Sequence, residues 1–485
     1  MRELLCIFDA GSTGARTIIF DTDGKEIAKA YEEYPIVEQP VGVSEQDPII
    51  WWNAIKNTCK QVVKQVNIDD IIGISASILR GYTTIVNEFG EPLHAAITAM
   101  DERGLALREE EGLRLSIPKL LWLKKEQSHL YNKIYKIMFP DTYVYMKLCG
   151  NETCITEPTN GIYGIMNVNT LDWDKNLANM YDLPVELWPK LHTPGEFIGE
   201  LTNDAAKELG LKSKLPVILG GGDQQCSALG LGVINQGQAK VTIGTYTVVH
   251  YVIGNKAIKP ASKDIPIFSI PHVIKGKWIL EGSMPGTGIA MKWFKDNFSQ
   301  LQIAESIEKN LDVYDIIIKE AGEIPPGSEG LLFIPLQIFR KGTIHGLGWN
   351  HSRGHMIRAI MESAALSAQL YLNLLEGIAG KKVDEIKADG GAMSSDLWAQ
   401  ILADVTDKKV IIPIVRDSAA LGAAILGFYG CKRYNSIDKA IKKMVRFEKE
   451  FNPIKTNKKI YKKLTRLFLP LAFNIYEKKR VTKDL

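Results

Sequence analysis

The chain has 485 residues, too many for one ordinary hydrophobic core, so we expect two large domains. Apolar residues make up 45% and charged residues 24%, close to the average of soluble globular proteins, which excludes a disordered or fibrous class. The net charge of +3 is too small for the basic footprint of a nucleic-acid-binding protein, and the basic run at 455–466 is interpreted as a solvated helix face.

The N-terminal apolar run bears on cellular location. It ends at Asp9 and is far too short for a secretory signal or a membrane span. The six cysteines lack the paired spacing of a zinc site, so we interpret them as reduced, mostly buried thiols. We therefore predict a cytoplasmic protein that contacts neither membrane nor nucleic acid.

Strands and helices alternate through the first part of the chain. Residues 4–9 form a compact apolar run, a glycine-rich turn follows at 11–14, and alternation resumes at 16–21, which predicts a β-hairpin. Further along, the sequence predicts, in order, a helix at 51–66, a buried strand at 71–76 and a helix that begins at Pro118. This alternation is typical of the α/β class.

A comparable unit follows in the second part. An apolar run at 215–219 leads into the turn GGGD at 220–223, and a second run at 239–243 leads into Gly244 and Thr245. The echo predicts two structurally related halves, which we divide into domains 1–245 and 246–485. Beyond the echo, the sequence predicts a helix at 355–375, a strand at 385–388 and a helix at 421–428.

Glycine turns at strand ends suit phosphate chemistry. Backbone N–H groups can approach phosphate oxygens there, and an acidic residue at the strand end can hold the bridging metal. Asp9, Gly11, Thr13 and Gly14 supply this set in the first turn, without the Gly-Lys-Ser/Thr ending of a P-loop. An ordinary glycine-punctuated hairpin is the alternative interpretation of this turn.

Two more glycine turns strengthen the prediction of phosphoryl transfer. In the second turn, Asp223 brings a carboxylate to a strand end. The third, DGGAMSS at 389–395, opens a helix, whose N-terminus favours an anion or nucleotide through its dipole and free N–H groups. The alternative for the third turn is simple helix capping by Ser394 or Ser395.

Together these motifs resemble the FGGY carbohydrate kinases of the actin-like ATPase superfold. The resemblance runs from Asp9 to about Gly427. It implies an α/β fold of two actin-like, ribonuclease H-like domains around a central cleft. The matching stretches are DAGST at 9–13 with Arg16, PKLLWL at 118–123, GGGD at 220–223, IGT at 243–245, PGSEGL at 326–331, and DGG at 389–391 with Ser394 and Trp398.

The resemblance implies an ATP-dependent kinase that uses Mg²⁺ and phosphorylates a hydroxyl of a small sugar or polyol. Asp223 takes the role of general base on that hydroxyl, and Asp9 organises the metal; Asp389 is either part of the nucleotide site or structural. The implied nucleotide-binding residues are Gly11, Ser12, Thr13, Arg16, Gly244, Thr245, Gly390, Gly391 and Ser394. The first domain would bind the sugar and the second the nucleotide, and a homodimer is left open.

The loops at 77–81 and 100–103 correspond to the substrate loops of this family. They supply the predicted substrate-binding residues, which are Arg80, Asp101, Arg103, Asp223 and Gln224. A surface ion pair is the alternative for the charged members. Leu79-Arg80-Gly81 matches neither the Gln-Met-His of xylulokinases nor the Arg-Glu of glycerol kinases.

Within the family, the chain resembles kinases of the quorum signal autoinducer-2, a linear hydroxylated pentanedione, and xylulokinases next. The supporting stretches are GGGDQQ at 220–225, PHV at 271–273, MKWF at 291–294 and WAQILAD at 398–404. The region 335–346 also lacks the Gly-Glu-Arg-x-Pro sequence of xylulokinases. An autoinducer-2-like or pentulose substrate is therefore expected.

Two other classes share these glycine turns. An actin-like ATPase would hydrolyse ATP without a small-molecule acceptor and would not need Arg80, Asp101, Arg103 and Asp223. A sugar-sensing binding protein without turnover would not need both Asp9 and Asp223. Because all these residues are present, the kinase is the preferred hypothesis.

Overall fold

The computed structural model describes residues 2–36, 42–107, 114–258, 267–335 and 342–477. Two seven-stranded sheets dominate it, and helices pack against both, so the mixed α/β prediction is confirmed. No helix in these ranges combines the length and the apolar character needed to cross a membrane. Part of the region 335–346, at 336–341, lies outside the described residues.

The first sheet is built around the N-terminal hairpin. Leu4–Ala10 pairs antiparallel with Gly14–Asp21 and parallel with Ile71–Ile78, and all seven of its residues are buried. A strand covered on both faces needs a continuous apolar run, which is why 4–9 does not alternate. The spatial strand order is Phe197–Glu200, Pro216–Ile218, Ile71–Ile78, Leu4–Ala10, Gly14–Asp21 and Glu26–Glu33, with Gly221–Gly222 also paired to Ile71–Ile78.

The second sheet repeats this arrangement. Ala239–Ile243 pairs antiparallel with Thr247–Gly254 and parallel with Glu385–Asp389. The spatial strand order is Ile267–Pro271, Trp278–Met284, Thr247–Gly254, Ala239–Ile243, Glu385–Asp389, Lys409–Pro413 and Phe447–Phe451. The prediction of two related halves is therefore confirmed.

The repeating unit, however, differs from the predicted one. The counterpart of the N-terminal hairpin is formed by Ala239–Ile243 and Thr247–Gly254, which turn at Gly244 and Thr245. The apolar run at 215–219 instead forms Pro216–Ile218, a strand of the first sheet. Asp223 then begins a helix rather than ending a strand. The boundary at 245/246 stays a prediction; Ala239–Ile243, on its N-terminal side, pairs into the second sheet.

The helices lie where apolar residues recur at helical spacing. The predicted helix at 51–66 forms Pro48–Val62, which begins one residue after Asp47, whose side chain accepts a hydrogen bond from Ile49 N. The α-helices of seven or more residues are Pro48–Val62, Ser116–Glu126, Pro140–Cys149, Lys175–Tyr181, Asn203–Leu209, Asp223–Gly230, Thr287–Phe298, Gln300–Lys309, Val313–Gly322, Arg353–Ala379, Asp396–Thr406, Ser418–Gly430, Ile437–Met444 and Lys455–Glu477.

Short two-stranded ladders complete the fold. Most of them brace loops of the first half. They pair Glu45–Gln46 with Ala96–Ile97, Thr84–Val86 with Lys136–Met138, Ile155–Thr156 with Lys190–Leu191, Met166–Asn167 with Asp172–Trp173, and Leu332–Ile334 with Thr343–His345. The helical turns Ser128–Tyr131 and Pro158–Gly161 lie among them.

Two helices cross where the halves meet, Asp223–Gly230 and Ser418–Gly430. The crossing depends on glycine: a Cβ on Gly230 would lie 1.9 Å from the carbonyl oxygen of Ser418, and a Cβ on Gly422 would lie 1.9 Å from that of Cys226. The apolar face of Ser418–Gly430 packs against the first sheet. A helix from the second half is therefore part of the core of the first half.

Asp141 is a buried carboxylate of the first half. It accepts hydrogen bonds from Thr142 N and Thr156 Oγ1, each at 2.8 Å, but burial, with the neighbouring Glu157 carboxylate, raises its pKa to about 8. The unfolded chain loses this proton near pH 4 while the folded protein keeps it. The free energy of unfolding should therefore fall as the pH rises from about 4 to about 8.

We expect Asp141→Asn to remove that decline. Relative to the wild type, the variant should gain about 1.4 kcal/mol for each pH unit between about pH 4 and pH 8, because no charge remains to be buried. Chemical denaturation at pH 5, 6.5 and 8 measures the difference. Equal stability gaps at the three pH values would contradict the account.

Candidate active site

The first and second glycine turns lie at one edge of the first sheet. Asp9 stands opposite Ser77 in the parallel ladder of Leu4–Ala10, and Ser77 stands opposite Gly221 in the next. The carboxyl ends of these strands therefore bring Asp9, near the end of Leu4–Ala10, close to Asp223, which directly follows Gly221–Gly222. Their proximity is also seen electrostatically, because the charge of Asp223 contributes to the raised pKa of Asp9.

The turn at Gly244 and Thr245 and the third glycine turn, at 389–395, lie at one edge of the second sheet. Thr242 stands opposite Asp389 in the parallel ladder, so Gly244 and Gly390 follow at the same level. Gly390 has φ of +92°, and a Cβ there would lie 2.4 Å from the carbonyl oxygen of Ile243, so this position requires glycine. Thr245 and Gly391 are exposed at this edge.

The two predicted capping serines of the third turn have different contacts. Ser395 caps the helix Asp396–Thr406, since its side chain accepts a hydrogen bond from Trp398 N. Ser394 is exposed and its Oγ donates to the carbonyl of Gly391 at 2.7 Å. Helix capping therefore uses Ser395 and leaves Ser394 at the surface of the turn.

The first turn is held by its neighbours through backbone oxygens. Gly11 O accepts from the hydroxyl of Tyr34 at 2.5 Å, and Ser12 O accepts from Gln46 Nε2 at 3.0 Å. Thr13 is exposed, and its carbonyl accepts from Tyr34 N at 3.0 Å. The side chains of Ser12 and Thr13 stay outside these contacts, so the turn is fixed without using its hydroxyls.

Asp9 and Arg16 form part of a charged group that spans both halves. Arg16 Nε lies 3.5 Å from Asp9, and Nη1 pairs with Asp417, which precedes the helix Ser418–Gly430; Lys29 also pairs with Asp417. Burial raises the pKa of Asp9 to about 6; Arg16 lowers it, and Asp417 and Asp223 add to the rise. Asp417 and Lys29 were not predicted from the sequence.

Asp223 is the first residue of a helix and its side chain is 29% exposed. Its Oδ1 accepts from Gln224 N at 2.8 Å and from Arg80 Nε at 3.4 Å. The helix N-terminus and the guanidinium both place positive charge beside this carboxylate. The structure thus brings together Asp223 and Arg80, which lie 143 residues apart.

Asp101 and Arg103 form a braced pair. The Asp101 carboxylate accepts from the Arg103 side chain and from the backbone nitrogens of Ser44 and Arg103. Arg103 also donates to Glu45 Oε1 at 2.6 Å and lies over the Trp122 ring at 4.2 Å. The two residues form an ion pair, but it is not the surface pair that the sequence left as an alternative, because the Asp101 side chain is 0% and that of Arg103 17% exposed. Direct substrate contact stays a prediction for both.

Lys119 is a buried residue that we did not assign to the site. Its Nζ donates to the carbonyl of Gly81 at 2.7 Å, next to Arg80, and burial lowers the pKa of this amine to about 7. Gly81 has φ of +79°, so the loop turns sharply at that residue. The available signal was the position of Lys119 in the PKLLWL motif.

A second unpredicted lysine lies beneath the glycine turns. Lys240 Nζ donates to Gln224 Oε1 at 3.0 Å, Ser227 Oγ at 2.7 Å and Thr242 Oγ1 at 2.9 Å. The side-chain oxygen of Gln224, a residue predicted to bind substrate, therefore already accepts a hydrogen bond from Lys240. The hydroxyls around Asp389 are those of Ser227, Thr242 and Ser418.

We call Lys240, Asp389 and the surrounding hydroxyls the buried hub. It joins the helix that carries the candidate base to the two strands that lead into Gly244 and Gly390. Lys240 and Asp389 are 0% and 5% exposed. Buried charges need hydrogen-bond partners, and here Lys240 and Asp389 share the hydroxyls of Ser227 and Thr242.

The charges at the first turn suit a divalent cation. The charges of Asp417 and Asp223 reach Asp9 and add to its raised pKa, and the cations paired with these three carboxylates are Arg16, Lys29 and Arg80. In the described ranges no three His, Cys, Asp or Glu side chains are grouped closely enough to form a metal cage. Mg²⁺ typically binds one or two carboxylates together with substrate phosphates and water, so Asp9 fits this mode.

Comparisons with protein families agree with the motifs. The N-terminal domain model of the FGGY family of carbohydrate kinases matches residues 4–111 and 113–230, and the C-terminal domain model matches 239–431. The gluconokinase of Bacillus subtilis is 28% identical over 97% of this chain and 96% of that protein. The autoinducer-2 kinase of Yersinia enterocolitica is also 28% identical, over 95% and 92%.

Solved structures show the same architecture. A gluconate kinase from Lactobacillus acidophilus has a TM-score of 0.84 at 22% identity and covers 98% of this chain and 99% of its own. A xylulose kinase from the same organism has a TM-score of 0.83 at 22% identity and covers 99% of both chains. The prediction of a two-domain fold of this type is confirmed.

Proposed function

The chain belongs to the FGGY family of carbohydrate kinases, and from this membership we propose that it phosphorylates a neutral polyhydroxylated substrate, an autoinducer-2-like or pentulose compound. It is an ATP-dependent sugar kinase by family. The observation that carries the proposal for the site is Asp223, a partly exposed carboxylate at a helix N-terminus beside Arg80.

Asp223 is the proposed general base. A hydroxyl must lose its proton as its oxygen attacks the γ-phosphorus of ATP, and a positioned carboxylate can accept that proton. Arg80 lies beside Asp223 and can bind another substrate oxygen. The sugar oxygen forms the new P–O bond, the bond to the β-phosphate oxygen breaks, and ADP leaves.

The glycine turns are the proposed nucleotide site. Thr13 and Thr245 are exposed, and their hydroxyl and backbone N–H groups would bind phosphate oxygens, while Gly390, Gly391 and Ser394 would flank the adenosine. Asp9 would hold Mg²⁺, which supplies positive charge beside the β- and γ-phosphate oxygens. The neighbouring carboxylates support this role, because the charges of Asp417 and Asp223 act on Asp9 and would be relieved by a cation there.

The charges around Asp223 support a neutral substrate. Arg80 is paired with Glu281 at 3.0 Å, and Arg103 with Asp101 and Glu45. Both guanidinium groups already have carboxylate partners that balance their charge, so a substrate carboxylate would add a further negative charge beside Glu281 or Asp101. This favours an uncharged sugar, polyol or autoinducer-2-like compound over gluconate, although a gluconokinase is among the relatives.

A substrate panel tests the proposal. We expect kcat/KM for autoinducer-2, xylulose or another uncharged member to exceed that for gluconate by about tenfold or more, a difference of about 1.4 kcal/mol. ADP release with purified enzyme is the measurement. If gluconate were the best substrate, the proposal of a neutral substrate would be wrong.

The same assay separates the rival functions. An actin-like ATPase would release ADP at the same rate with and without sugar, and a sugar sensor would bind sugar without releasing ADP. Cytoplasmic location and a homodimer remain predictions from the sequence. Size-exclusion chromatography with light scattering decides the second of these.

A further inference from the structure

Glu281 joins the two halves beside the candidate base. It lies on Trp278–Met284 of the second sheet, and its Oε2 accepts from Arg80 Nη2 at 3.0 Å, His250 Nε2 at 2.6 Å and Gln225 Nε2 at 3.4 Å. Arg80 belongs to the first half, and Gln225 to the helix that begins at Asp223. A single carboxylate oxygen thus contacts both halves and the helix of the base.

Two carboxylates compete for Arg80. The guanidinium lies 3.0 Å from Glu281 but 3.4 Å from Asp223, so Glu281 is the closer partner. Arg80 is only 7% exposed in its side chain and needs a counter-charge at this depth. Without Glu281, Asp223 would be the nearest carboxylate available to supply it.

An arginine that is drawn fully onto a carboxylate binds it through both fork nitrogens. Such a pair at Asp223 would occupy the oxygen that must accept the substrate proton. In the structure, Arg80 Nη2 is instead held by Glu281, and Arg80 Nη1 is buried without a protein partner in the described chain. This leaves one guanidinium nitrogen for a substrate oxygen.

His250 supports Glu281 from within the second sheet. It is 0% exposed, and burial lowers the pKa of its imidazole to about 4, so the ring is neutral at physiological pH. Since a carboxylate can only accept, Nε2 must carry the ring proton. The neutral imidazole therefore orients Glu281 without cancelling the charge that it offers to Arg80.

We propose that Glu281 is a positioning residue of the kinase site, which holds Arg80 off Asp223 and turns it toward the sugar. The inference rests on the proposed function. Asp223 then keeps an oxygen for the hydroxyl proton, and Arg80 Nη1 keeps its bonding capacity for the substrate. Glu281 does not touch the reacting atoms.

Glu281→Gln tests the proposal, with Glu376→Gln as the matched control. Both carboxylates belong to the second half and are 7% exposed, and Glu376 pairs with Lys408 at 2.8 Å, away from the glycine turns. For Glu281→Gln we expect the sugar KM to rise and kcat to fall by about tenfold each, with ATP KM unchanged. Both sugar parameters should stay near wild type in the control.

Loss of stability alone would not produce this split between sugar and ATP parameters. If Glu281→Gln does not fold, Glu281→Asp keeps the charge one methylene further back and should raise the sugar KM by a smaller factor. Sugar parameters within twofold of wild type in the variant that folds, or an equal change in Glu376→Gln, would overturn the proposal. A wild-type enzyme that phosphorylates no sugar would instead overturn the proposed function.

Discussion

Asp223→Asn is expected to lower kcat with the best sugar by about 10³-fold or more, while ATP binding is retained. General-base catalysis contributes about 10²- to 10⁴-fold, and an amide cannot accept the substrate proton. The carboxamide matches the carboxylate in size and can still accept from Gln224 N, so the helix start should survive. Steady-state ADP release measures kcat, and calorimetric titration measures ATP affinity.

Asp204→Asn is a suitable control for this variant. Asp204 also lies in the first turn of a helix, Asn203–Leu209, but on the exposed surface of the first half. Its replacement should leave kcat unchanged. If Asp223→Asn kept more than about a tenth of wild-type turnover, Asp223 could not be the general base.

Lys240→Met is expected to produce the largest loss of stability. The substitution removes the cation of the buried hub and leaves the Asp389 carboxylate 5% exposed and surrounded only by the hydroxyls of Ser227, Thr242 and Ser418. Removing one partner of a direct buried charge pair costs about 3–5 kcal/mol, and because Lys240 reaches Asp389 through the hydroxyls of Ser227 and Thr242, we expect the lower end of that range. Because the hub lies under Gly244 and Gly390, kcat should fall as well.

The double variant Lys240→Met, Asp389→Asn isolates the charge effect. It buries no uncompensated charge, so most of the lost stability should return. Chemical denaturation of the wild type, both single variants and the double variant closes the cycle. A Lys240→Met protein as stable as the wild type would show that Asp389 does not depend on Lys240.

Much of the fold was predictable because its signals are local. The apolar run at 4–9, the glycine turn after it and the helical spacing at 51–66 each reflect burial of one segment, and each element is observed within a few residues. The segment at 215–223 misled the repeat assignment. An apolar run followed by glycines marks the end of a buried strand, but not the sheet to which that strand belongs.

The candidate site likewise contains residues that the sequence could indicate and residues that it could not. Asp9 and Asp223 could be selected as candidates because each lies beside a glycine turn at the end of a strand, and the structure places both turns at the carboxyl ends of strands that pair parallel with Ile71–Ile78. Glu281 could not, because its partner Arg80 lies 201 residues away and nothing local marks a buried glutamate as part of a site. Lys240 could not be predicted for a related reason, since the function of a lysine within an apolar strand cannot be inferred until its hydrogen-bond acceptors are known.

The most direct test of the central claim is the stoichiometry of phosphoryl transfer. Purified wild-type enzyme is incubated with ATP, Mg²⁺ and the best sugar of the panel, and ADP and phosphorylated sugar are quantified together by ³¹P NMR. We predict one phosphorylated sugar for each ADP, with little ADP formed when sugar is omitted. ADP formation that is independent of sugar and matched by inorganic phosphate would contradict the assignment of Asp223 and Arg80 to a sugar kinase site.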